Sequence, residues 1–209
     1  MQLSEQWLRS YADPPYSSDE LAERLTMAGL EVESVDPVAP AFSGVVVAEV
    51  TRVAPHPNAD KLTVCEVEVG AGEILSIVCG ASNVAPGIKA PCALMGAILP
   101  GGAEVSAATL RGVQSQGMLC SARELGLSDD HAGLLILDGD APLGADLRDY
   151  LALDDRKLTI KLTPDRADCL SVVGVAREVA ALAGSPLTLA ATAPVQPVIA
   201  DRLPVIIEA

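Results

Sequence analysis

The clearest alternation of apolar and polar positions lies between residues 62 and 69. Leu62, Val64, Glu66 and Glu68 fall on one side, and Thr63, Cys65, Val67 and Val69 on the other. A period of two is that of a half-buried strand. The second side is the more uniformly apolar and is read as the inner one. The stretch before it, His56-Pro57-Asn58-Ala59-Asp60-Lys61, reads as a turn. Its proline keeps His56 extended, and Asn58 and Asp60 can bond nearby backbone N–H groups. Gly70 and Gly72 close the strand in a second turn. Further strand-like runs occur at 44–53, 74–79, 90–99, 105–110 and 134–137, with turns at 80–87 and 99–102 and a short helix expected at 123–127. Short strands at this spacing predict a β-barrel or sandwich over residues 39–150.

The flanks follow a different period. Leu3, Trp7, Leu8 and Tyr11 stand at helical spacing, and Asp13-Pro14-Pro15 stops that helix. Ser17 followed by Glu20 is a capping box. It opens a second helix lined by Leu21, Leu25 and Ala28 and ended by Gly29. Leu30, Val32 and Val35 predict a strand, as do Leu158, Ile160 and Leu162. A turn at 163–168 leads into a helix over 169–183, with Val172, Val175, Ala176, Val179, Leu182 and Ala183 on one stripe. Gly184 and Pro186 end it. Neither flank alone has enough apolar surface for a core. The expected class is therefore α+β. Residues 1–38 and 151–195 form a small split α+β domain, and a five-stranded barrel of the OB type, common at this size, is inserted between them. Residues 196–209, with the strand-like run Leu203-Pro204-Val205-Ile206-Ile207, read as the start of a further, truncated domain.

Composition narrows the chemistry. The chain has 209 residues and five aromatic ones, Trp7, Tyr11, Tyr16, Phe42 and Tyr150, so its cores are aliphatic. No apolar run approaches the ~20 residues of a membrane span. No secretion signal opens the chain, and the cytoplasm is the expected compartment. Cys65, Cys79, Cys92, Cys120 and Cys169 are widely spaced, with no close pair and no neighbouring histidine. Buried free thiols fit this better than a zinc site. The net charge is −14: residues 1–38 carry 2 basic and 8 acidic groups, 39–150 carry 6 and 13, and 151–209 carry 6 and 7. That is a poor footprint for a nucleic-acid binder, which commonly shows a basic face.

Three blocks inside 39–150 carry a resemblance. They are His56 to Gly70; Val78-Cys79-Gly80-Ala81-Ser82-Asn83-Val84 with Gly87 and Lys89; and Leu110-Arg111-Gly112-Val113-Gln114-Ser115-Gln116-Gly117-Met118-Leu119-Cys120-Ser121 with Glu124-Leu125-Gly126-Leu127. Together they resemble the OB-fold tRNA-binding domain shared by several synthetase-associated proteins. The flanking stretch Leu162-Thr163-Pro164-Asp165-Arg166-Ala167-Asp168-Cys169-Leu170-Ser171 with Ala176-Arg177-Glu178, and the opening helices with Gly29-Leu30-Glu31-Val32-Glu33, resemble the two halves of the N-terminal domain in the bacterial phenylalanine–tRNA ligase β-subunit family. The resemblance covers Met1 to about Pro186.

The resemblance implies a role in ATP-dependent charging of tRNA with phenylalanine. ATP and magnesium would serve the parent enzyme, with its catalytic site in an α subunit of an α2β2 assembly. It places no catalytic residue, metal or cofactor on this chain, and neither DNA nor a membrane among its partners. The residues agree: there is no P-loop and no Ser/His/Asp set, and His56 and His131 read as turn residues. The candidate tRNA-binding residues are Asn58, Lys61, Asn83, Lys89, Arg111, Ser115, Gln116, Met118 and Ser121. The lysines and the arginine suit phosphates, and the amides and hydroxyls suit base edges or ribose. Several are equally what tight turns require. With net −7 and only Phe42 and Tyr150 as possible stacking rings, the expected affinity for tRNA of these residues alone is weak. The alternatives are a stand-alone tRNA-binding or chaperone-like OB protein, and a protein-interaction scaffold.

Overall fold

The computed structural model describes residues 1–130, 132–199 and 201–207. His131, read above as a turn residue, lies outside them. Ten strands and four helices run in the order β1 (Gln2–Ser4), α1 (Glu5–Tyr11), α2 (Ser18–Met27), β2 (Glu31–Pro37), β3 (Ser43–Pro55), β4 (Thr63–Glu68), β5 (Ile74–Cys79), β6 (Lys89–Ile98), β7 (Ala108–Leu110), β8 (Val113–Ser115), β9 (Met118–Leu119), α3 (Leu147–Tyr150), β10 (Arg156–Lys161) and α4 (Val172–Ala183), with a 3₁₀ turn at Pro164–Cys169 before α4. None of these helices is long and apolar enough to cross a membrane.

The two ends of the chain share one sheet. Its strand order is β1-β10-β2, antiparallel throughout. Leu3 stands opposite Leu158, and Ile160 opposite Val32. On the apolar side these residues join Leu8, Leu21, Leu25, Leu30, Val175 and Val179 in one buried cluster. Local chemistry sets the helix ends. Ser4 accepts the Trp7 N–H and starts α1, while Ser17 and Glu20 bond reciprocally at the start of α2. Gly184 takes a left-handed φ of 63° to end α4. Arg166 ties the 3₁₀ turn to its surroundings: it donates to Glu178 Oε2 at 2.8 Å and to the Ala28 carbonyl at 3.3 Å.

The middle of the chain forms a second antiparallel sheet, ordered β5-β4-β3-β6-β9. The long strand β3 pairs with both β4 and β6, and its register shifts once on each side. Such irregularities bend and twist a strand, and the sheet curls into a half-barrel. On β4 Cys65 and Val67 are buried, as is Val69 just beyond it, the face that the alternation assigned to the interior. The first edge, β5, meets the segment between β8 and β9 without a ladder. Instead Gln116 N–H donates to the Ser76 carbonyl, and Ser76 N–H donates to Gln116 Oε1, both at 2.9 Å. Two buried clusters fill this part, one around Val50, Val67 and Ile77 and one around Phe42, Val47 and Leu125.

Several elements differ from expectation. Of the strand read at 105–110 only Ala108–Leu110 is regular, paired in a hairpin with β8. Residues 134–137 form a single bridge, Leu137 to Lys89, while Leu135 N–H donates to the Cys120 carbonyl, so the segment makes no regular ladder. Residues 123–127 make turns, with Gly126 N–H on the Arg123 carbonyl at 3.0 Å, rather than a helix. Helix α4 begins at Val172 and not at 169, since Pro164–Cys169 winds as a 3₁₀ turn. The run 203–207 is exposed and, among the described residues, pairs in no strand.

Candidate nucleic-acid interface

The turn between β3 and β4 is closed by His56 N–H on the Leu62 carbonyl at 3.1 Å. The His56 side chain is buried and both ring nitrogens are engaged. Nδ1 accepts the Asn58 N–H at 3.0 Å. That acceptor role assigns the proton to Nε2, which donates to the Leu110 carbonyl at 3.1 Å. Asn58 Nδ2 donates to the neighbouring Arg111 carbonyl at 3.0 Å. Asn58 thus reaches across to another block, where a local backbone bond was expected. Arg111 sits at the tip of the β7–β8 hairpin with φ of 49°, followed by Gly112 at 90°. The first and third sequence blocks therefore meet at one pole of the curled sheet. Lys61 and Arg111 are exposed there, and among the described residues no hydrogen bond or ion pair engages either side chain.

The other candidates, Met118 excepted, hold backbone. Asn83 accepts the Leu134 N–H at 2.8 Å and donates to the Leu134 carbonyl at 3.0 Å. Lys89 Nζ donates to the Ala141 carbonyl at 2.6 Å. Both fasten the segment after β9 to the sheet. Ser115 is buried, accepts the Val78 N–H at 3.1 Å and donates to the Gly117 carbonyl at 2.9 Å. With Gln116 it bridges β5 to the β9 side. Ser121 and Glu124 bond reciprocally, as in a capping box. Met118 is half-buried against the cluster around Phe42.

Where β5 and β9 diverge, a cleft of about 920 Å³ opens between Val78, Leu99, Val105, Leu110, Met118 and Leu134. Ser115, Ser121 and Arg123 also line it. Nothing in the spacing of residues announced it, because it lies between the two edge strands of the sheet, which are distant in sequence and do not pair. Cys79 lines the same cleft, and the neighbouring Cys65 together with burial pushes its thiol up. All five cysteines are buried free thiols. Phe42 is buried beneath Arg148, whose guanidinium carbon is 4.9 Å from the ring centroid. Its face is taken and cannot stack a base.

Residues 45–146 match the family described as "Putative tRNA binding domain", a span that includes every candidate residue. Over the whole chain, the phenylalanine–tRNA ligase β subunit of Ralstonia nicotianae is 59% identical and that of Bordetella bronchiseptica 61%. Over its whole length the chain is thus similar to phenylalanine–tRNA ligase β subunits. It corresponds to the N-terminal part of those proteins and spans 26% of their length, about a quarter. Among solved structures, a MetRS related protein from Pyrococcus horikoshii aligns with 49% of this chain and 87% of its own at 22% identity and a TM-score of 0.37, too loose a superposition to weigh. Lys61 and Arg111, exposed at the same pole, both lie within the residues that match the tRNA-binding family model.

Proposed function

We propose that the chain is a non-catalytic N-terminal part of a phenylalanine–tRNA ligase β subunit that helps to position tRNA and to assemble the enzyme. In this reading residues 39–150 are a five-stranded OB-type barrel, set into a split α+β domain of residues 1–38 and 151–195. Residues 196–209 lead into a further domain. The strand order, the bridge at Ser115 and Gln116 and the shared sheet of β1, β2 and β10 support it. ATP and magnesium act in the whole enzyme, with a catalytic α subunit in an α2β2 assembly in the cytoplasm. Among the described residues no three His, Cys, Asp or Glu side chains converge as a metal ion requires, so no step is assigned to magnesium here.

The observation that carries the tRNA role is the joining of the 56–62 turn to the Leu110–Arg111 tip, which gathers Lys61 and Arg111 at one pole. Against a module of net −7, two cations give weak, salt-sensitive binding. Asn58 contributes by shaping that pole. Titration of labelled tRNA against the full 209-residue chain should give a dissociation constant above about 1 μM at physiological salt. Lys61→Ala and Arg111→Ala should each flatten the log–log salt slope by about 0.7–0.9. A slope untouched by the double substitution would sink the assignment.

The scaffold reading keeps one observation in its favour, the largely apolar cleft in an acidic module. A pull-down with the α subunit, with and without residues 39–150, separates the two: loss of capture on deletion, with tRNA binding unchanged by Lys61→Ala and Arg111→Ala, selects the scaffold.

A further inference from the structure

We infer that His56 is a positioning residue for the proposed tRNA contact: it holds Arg111 in place through the backbone of the β7–β8 tip. This inference rests on the tRNA reading of Arg111. His56 touches no ligand in it and acts only through its neighbours.

The geometry is specific. Two successive carbonyls at the hairpin tip, those of Leu110 and Arg111, are each taken by a side chain from one distant turn: His56 Nε2 at 3.1 Å and Asn58 Nδ2 at 3.0 Å. His56 also fixes Asn58 itself, through Nδ1 and the Asn58 N–H at 3.0 Å. One imidazole therefore anchors both contacts. Between them Arg111 adopts a left-handed backbone with φ of 49°, a conformation that disfavours any residue with a Cβ. Glycine would take it freely, and one stands next door at Gly112. A tip that needed only to turn has no use for the arginine at the strained position. A tip that must present a guanidinium at a set angle does, and strain of this kind persists where surrounding bonds over-determine it. The fit is close as well. A Cβ on Gly112 would lie 3.4 Å from Asn58 Nδ2, so the amide packs directly on the tip. Held this way, the exposed Arg111 side chain meets a phosphate without first ordering its backbone, which raises affinity by reducing the entropy lost on binding.

A structural role alone would lower stability and leave the salt response of binding unchanged. The test therefore reads binding of labelled tRNA to the full chain at several salt concentrations, beside the thermal midpoint of each variant. His56→Ala should weaken binding ~fivefold at about 50 mM salt and flatten the salt slope by as much as Arg111→Ala does. In the double variant the two losses should not add, since both remove one contact. His56→Gln, which keeps a donor near the Nε2 position, should recover most of the affinity. The inference is overturned if His56→Ala leaves the slope intact while Arg111→Ala changes it, or if the two losses add in full. If Arg111→Ala itself has no effect, the tRNA contact at this pole is wrong and the inference falls with it. Folding of His56→Ala is checked by its midpoint. Should that variant unfold, the slope and additivity are read on Asn58→Ala, which removes only the second anchor, under the same criteria.

Discussion

Arg148 lies over Phe42, and the same guanidinium binds the chain on both sides of the curled sheet. It donates to the Pro40 carbonyl at 2.8 Å and to Asp154 Oδ1 at 2.6 Å. Residues 40–42 lead into β3, and residues 153–154 lead out of α3 toward β10. One side chain thus clamps the entry and the exit of the middle segment.

Removing that clamp should be costly. Arg148→Ala loses a ring contact and charge-assisted hydrogen bonds at a mostly buried site, together about 2–3 kcal/mol. Arg148→Lys should recover less than half of it, because an ammonium cannot fork between Pro40 and Asp154 while covering the ring. Urea unfolding midpoints decide; an Arg148→Ala midpoint equal to the parent's would refute the clamp.

Asn83 is expected to matter for folding more than for binding. Its amide bonds both the N–H and the carbonyl of Leu134. Asn83→Ala should cost about 1–3 kcal/mol and expose the Leu134 N–H to hydrogen exchange. Its effect on the salt slope of tRNA binding should be nil, in contrast to Lys61 and Arg111. A change of slope without loss of stability would return Asn83 to the interface.

Gly174, in the first turn of α4, faces the carbonyl of Asp168 so closely that any Cβ would overlap it. Gly174→Ala must push the 3₁₀ turn off the helix, at about 3 kcal/mol or more given the backbone partner. Purified Gly174→Ala with an unchanged melting curve would show that this junction is slack.

Acid should loosen α2 through Glu20. Bonds from the Ser17 backbone N–H and hydroxyl hold its carboxyl below the ordinary 4.5. A depressed folded value means that the stabilisation is present above about pH 4.5 and is lost as pH falls through the folded value. The thermal midpoint of the parent minus that of Glu20→Ala should stay constant near pH 6 and shrink below about pH 4.5. A difference that widens toward low pH would contradict this sign.

By itself the sequence determined whatever depends on neighbours along the chain. Alternation placed β4 and its inner face, Ser17 and Glu20 started α2, and Gly184 ended α4, because periodicity and capping act within a few residues. The three tRNA-module blocks were equally legible. Only the tertiary structure decided what depends on partners far away. Strands β8 and β9 are two or three residues long and exist through pairing that no local pattern encodes. Asn83, Lys89 and Ser115 carry groups that suit a backbone carbonyl or N–H as well as a ribose or a phosphate. The hydrogen bonds they make depend on the backbone of Leu134, Ala141 and Val78 lying within reach. The same distance effect left Lys61 and Arg111 uncommitted and set His56 against the Leu110 carbonyl, since a hydrogen bond requires only that folding bring the two atoms within about 3 Å.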